Sequence, residues 1–130
     1  MPTIKLDADT QLVVTRGREA RTSLRSDQSW EKWVVIGRAI EAGKTAVMRE
    51  LGTNLPRGRR WNETFGGWLK ETDFDQINAA TRWHLQTCLD NLPAIEAWRQ
   101  TIGLGLRLRL NHPYTVRRRW QASRRPAMLR

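Results

Sequence analysis

The sequence predicts a mainly α-helical fold: a compact helical domain that ends in a helix-turn-helix-like pair. Three observations predict it. Apolar residues recur three and four positions apart through much of residues 30–120. Capping residues such as Ser29, Asn91 and Asn111 open those runs. Gly52 and Pro56 close the longest of them. The chain of 130 residues is 39% apolar and carries seven tryptophans, enough for one packed domain and too short for two.

In chain order, residues 1–27 read as an N-terminal arm, either a short β-hairpin or disordered. Thr3–Leu6 and Gln11–Thr15 flank the turn-like run Asp7-Ala8-Asp9-Thr10, and Arg16–Asp27 is polar and linker-like. The helical domain then spans 28–123. Ser29 caps a helix over 30–51, with Trp30, Trp33, Val34, Ile40, Val47 and Leu51 as its apolar stripe and Gly37 and Gly43 as weak points. A helix over 59–71 carries Trp61, Phe65, Trp68 and Leu69, and Gly66-Gly67 within it reads as a site of close packing. Asp73 or Asp75 caps a helix over 76–90, striped by Ile77, Thr81, His84, Leu85, Cys88 and Leu89. Asn91 caps the next, with Pro93 in its first turn and Leu92, Ile95, Trp98 and Ile102 inward.

Residues 104–110 alternate leucine with Gly105, Arg107 and Arg109. Period two suits a strand, but the leucines also form i,i+4 pairs, and the helical surroundings favour a short helix. Asn111-His112-Pro113 then opens a last helix over about 112–123. Val116 and Trp120 are its inner face, Tyr114 flanks it, and Arg117, Arg118 and Arg119 fan across the outside. Residues 124–130 form a basic tail.

Charge separates the ends of the chain. The net charge is +10, with 19 arginines and four lysines. Residues 61–96 hold two basic and six acidic residues, whereas 97–130 hold nine arginines and no acid. A cationic third of this kind implies a polyanionic partner. The lone Cys88 excludes an intramolecular disulfide. No apolar run reaches the roughly 20 residues of a membrane span, and no apolar leader follows Met1-Pro2, so a cytoplasmic, nucleoid-associated protein is expected.

The sharpest feature is the last helix: short, capped, anchored by large residues and covered with arginine. That is the form of a DNA-recognition helix. The expected nucleic-acid-binding residues are Arg107, Arg109, His112, Tyr114, Thr115, Arg117, Arg118, Arg119, Arg124 and Arg125. Arginine suits phosphates and guanine edges, and the tail can follow the backbone or the minor groove. Double-stranded DNA is the expected partner, with RNA second, and homodimerisation would pair half-sites. The alternatives are a module that binds an acidic surface of a host protein, and a non-specific packaging protein. Six tryptophans lie on or near apolar stripes and read as core. Trp83 is off its stripe beside Arg82, which fits either base stacking or a dimer surface.

Enzyme function is not expected, and neither is a cofactor or a metal. His84 reads as a core histidine, and with Cys88 it supplies two ligands and no third. A Cys–His nucleophilic pair finds little support, and Gly103-x-Gly105 lacks the strand and helix of a phosphate loop.

Two stretches carry a resemblance. Leu108–Trp120 (LRLNHPYTVRRRW) and Trp61–Leu69 (WNETFGGWL), together with Thr81-Arg82 and Ile95–Trp98, resemble a largely uncharacterised group of small helical proteins of alphaproteobacteria and their phages or mobile elements. The resemblance covers residues 59–122. It implies an all-helical fold and a phage-like setting; the expectation of a small transcriptional regulator comes from the arginine-bearing last helix. It implies no catalytic residues.

Overall fold

A computed structural model describes residues 4–25 and 28–124. They form seven α-helices: α1 (Ala8–Ser23), α2 (Trp30–Leu51), α3 (Arg59–Glu71), α4 (Ala79–Asp90), α5 (Leu92–Thr101), α6 (Leu104–Arg109) and α7 (Pro113–Ser123). A 3₁₀ turn, Phe74–Gln76, precedes α4. No strand occurs among the described residues.

The N-terminal segment corrects the expectation. Residues 8–23 are helical, neither a hairpin nor a linker. Asp7-Ala8-Asp9-Thr10 is a helix start: the Asp7 carboxylate accepts from the Thr10 N–H at 2.8 Å. α1 pairs with α2 as a helical hairpin. Val14 is buried in the pairing, and Gly17 lies so close to Ala39 that a Cβ there would collide with it. Glycine thus replaces a large side chain as the contact, which weakens the apolar pattern that marks a helix.

α2 is the central element, packed by α1, α3 and α4. Its ends follow the local signals. The Ser29 Oγ accepts from the Lys32 N–H at 3.2 Å, and Gly52 turns the chain at φ 65°. Because it is covered on several sides, Ile36, Ala39 and Ala46 are buried alongside the expected Trp30, Trp33, Ile40 and Val47. Gly43, expected to be a weak point, holds the Trp68 ring of α3 where any Cβ would overlap it. The expected close packing at Gly66 does not occur, since that position faces open space. α3 instead docks through Trp68, which sits against Gly43 and lies 5.8 Å from Phe74, while Trp61, Phe65 and Trp68 stack on one another along its inner side at 4.9 and 5.9 Å.

α4 starts at Asn78, whose Oδ1 accepts from the Thr81 N–H at 2.8 Å; neither Asp73 nor Asp75 is the cap. Asp73 instead takes a left-handed conformation, φ 65°, at the entry to the 3₁₀ turn. The Asn91 side chain donates to the Thr87 carbonyl and makes no cap to α5. Residues 104–109 are helical, as the i,i+4 leucine pairs favoured.

Arg99 ties the C-terminal elements together. It is 5% exposed, and its guanidinium donates to the Leu110 and Arg107 carbonyls at the end of α6. Its other side lies over the Trp30 ring at 5.4 Å. Trp30 in turn donates its indole N–H to Glu96 at 3.0 Å. A buried arginine therefore satisfies the orphan carbonyls of a six-residue helix that could not stand alone.

Candidate nucleic-acid interface

α7 lies chiefly on α4. Pro113, Val116 and Trp120 are its buried side, and Val116 is fully inaccessible. His112, not Asn111, caps it: the His112 Nδ1 accepts from the Tyr114 N–H at 3.2 Å. Asn111 turns the other way and donates to the Gln28 and Leu108 carbonyls. His112 is half-buried, with its ring edge-on to Trp33 at 5.2 Å. Burial, and then the nearby His84, hold its pKa below the ordinary histidine value.

The three adjacent arginines of α7 divide. Arg117 turns toward α4. Its Nε donates to the His84 Nδ1 at 2.8 Å, another of its nitrogens donates to Gln121 at 3.0 Å, and its guanidinium covers the Trp83 ring at 4.8 Å. Arg118 and Arg119 are exposed. Arg118 reaches the Tyr114 hydroxyl at 3.5 Å, and Arg119 has no hydrogen-bond or ion-pair partner among the described residues. Tyr114, Thr115, Arg118, Arg119 and Ala122 line one surface depression of about 440 Å³. Arg124 is exposed and stacks over Trp120 at 4.8 Å.

The remaining expected residues scatter. Arg109 is exposed on α6 and unpaired among the described residues. Arg107 is half-buried and donates to Gln100 at 2.9 Å. Arg125 lies outside the described residues. No ion pair between described residues involves an arginine of α6 or α7; those present are Arg18–Asp73, Arg38–Glu41 and Arg59–Glu63.

His84 is not the core histidine expected. It is half-buried and joins two aromatic rings across the α4–α7 seam, lying edge-on to Trp83 at 5.1 Å and to Tyr114 at 5.0 Å. Burial, and then the Arg117 charge, hold it below its ordinary pKa. The cation beside Trp83 is thus Arg117. Arg82, its chain neighbour, is bonded to the Ile77 carbonyl. Trp83 is 57% exposed, whereas the other six tryptophans are buried or half-buried.

Cys88 is fully buried, with its Sγ 3.6 Å from the Pro113 carbonyl, and burial pushes its thiol up to about 12. A thiol so placed is neutral at physiological pH and makes no nucleophile with His84. Among the described residues no three His, Cys, Asp or Glu side chains cluster to hold a metal ion. No helix there is long and apolar enough to cross a membrane. Comparison with family models, with curated proteins and with solved structures returns no match to this chain.

Proposed function

We propose that this protein binds duplex DNA through the outer face of α7, as a small transcriptional regulator of phage or mobile-element type. One observation carries the reading. α7 is fixed on the core by Val116 and Trp120 while Arg118 and Arg119 stand exposed on its far side without a carboxylate partner among the described residues. Unneutralised guanidinium groups on a rigid helix are what phosphate and base-edge contact requires. Arg109 on α6 and Arg124 at the C-terminal end of α7 are further exposed cations. In this reading α6, the connection Leu110–His112 and α7 form the helix-turn-helix-like unit, Arg117 serves as the brace that orients the face, and a homodimer pairs two such helices.

Salt-dependent binding tests it. Each phosphate contact contributes a slope of about −0.9 in log K against log salt. Replacing Arg118 and Arg119 together by Ala removes two contacts and flattens the slope by about 1.8. An unchanged affinity and slope would place the DNA site elsewhere. Sequence selection from a random duplex pool tests the regulator role: enrichment of one sequence supports it, and none leaves a packaging protein.

A second reading has its own observation. Leu104 and Leu108 are 59% and 67% exposed, an apolar pair four residues apart on α6. An acidic host protein could take both the leucines and the arginines. In that case Leu108→Asp abolishes partner capture without altering any salt slope on DNA.

A further inference from the structure

We propose that Trp83 is a stacking platform for an unpaired base, so that the α4–α7 face takes duplex DNA where it adjoins a single strand. The inference rests on the reading above and adds a ligand class to it: a nucleobase outside the stack. Trp83 is the one exposed tryptophan among the described residues, and its ring is held rather than loose. Arg117 covers one face at 4.8 Å, and His84 abuts it edge-on at 5.1 Å. Arg117 is in turn fixed by hydrogen bonds to His84 and Gln121. An indole sandwiched on one side presents the other to an incoming π system, at little cost in side-chain freedom.

The surroundings select a nucleotide. Stacking of bases on aromatic rings beside basic side chains is how single strands are held without sequence preference. Tyr114, 44% exposed, continues the aromatic surface through His84, and Arg118 lies against its hydroxyl. Acid is remote. α7 contains none, and the one acidic residue in α4 is Asp90, seven residues beyond Trp83 and hence about 10 Å along the helix axis. A base seated on Trp83 therefore has its phosphate near Arg117 and Arg118 and meets no carboxylate of these two helices. A duplex on the outer face of α7 puts its frayed or looped-out end at α4.

The test compares a blunt duplex of about 20 base pairs with the same duplex bearing a thymidine overhang of about five nucleotides, by fluorescence anisotropy at fixed salt. The readout is the ratio of the two dissociation constants. The intact protein favours the overhang by roughly five- to a hundredfold, the range of one stacked base. Trp83→Ala brings the ratio to about one, and Trp83→Phe keeps part of the preference. Thermal melts of both variants show that they fold. A ratio near one for the intact protein overturns the inference, as does a preference that survives Trp83→Ala. Those outcomes leave duplex binding through α7 standing if the blunt duplex still binds with the salt slope that Arg118 and Arg119 set. Failure of the intact protein to bind either duplex removes both readings together.

Discussion

Replacing Arg99 by Met tests how the C-terminal helices are held. The substitution keeps an unbranched apolar stem and deletes the guanidinium that bridges the Leu110 and Arg107 carbonyls. A hydrogen bond to a charged group contributes about 1.5–3 kcal/mol net, and stacking of a desolvated cation on Trp30 adds about 1–2 kcal/mol. Against this stands the desolvation of a guanidinium that is only 5% exposed and has its pKa lowered by that burial, partly offset by Glu96 and Glu31. The expected net loss is about 2–4 kcal/mol, a large share of the roughly 5–15 kcal/mol that keeps a domain folded. In urea, with a slope of about 2 kcal/mol per M, the midpoint falls by about 1–2 M while the slope stays constant. Arg99→Lys lands between the two, because one ammonium can neither bridge both carbonyls nor stack as a plane. A midpoint shift of less than about 0.3 M for Met would refute the clamp, because it would mean that desolvation cancels both hydrogen bonds.

Other expectations follow from single contacts. Gly43→Ala forces the Trp68 ring to move and destabilises by about 1–3 kcal/mol, whereas Gly66→Ala, facing open space in a helix, stabilises by up to about 1 kcal/mol; paired chemical melts read both. Asn78→Ala costs about 1 kcal/mol as the loss of a cap, and Asp75→Ala changes the same melt by less than about 0.5 kcal/mol. His84 and His112 each use Nδ1 as an acceptor, so both are neutral in the fold, with pKa values below the ordinary one. The unfolded chain then binds protons first as pH falls. Stability is full above about pH 6.5 and declines as pH drops from there toward the lower folded values. A urea midpoint that rises between pH 7 and pH 5.5 would contradict the assignment, and His84→Gln should weaken the dependence.

The sequence was most legible where one residue decides one bond. Ser29 and Gly52 bound α2, and the span of α3 follows from its aromatic stripe, because caps and periodicity act within a few residues. Legibility failed where the deciding partner is distant. α1 was hidden because its tightest contact is a glycine against Ala39, and its Leu12 faces solvent. Asn78 rather than Asp73 or Asp75 caps α4, and His112 rather than Asn111 caps α7, since each run held several competent acceptors and tertiary packing chose among them. The arginines of α7 were visible as a group but not individually. Successive helical residues differ by about 100°, and only the position of α4 fixes that Arg117 turns to His84 while Arg118 and Arg119 stand exposed. Trp83 could be singled out because it departs from its own helix stripe. Arg99 could not, since nothing in its neighbourhood announces a buried arginine.

The sulfur sealed between α4 and the first turn of α7 makes the protein its own stopwatch. Cys88 touches Pro113, so an alkylating reagent reaches it only while those two helices part. The speed of its capture therefore counts how often the arginine-bearing helix lifts away. Any oligonucleotide that spans both helices should slow that count by the fraction of protein it occupies. Binding across the seam would then be timed directly, with nothing attached to the oligonucleotide.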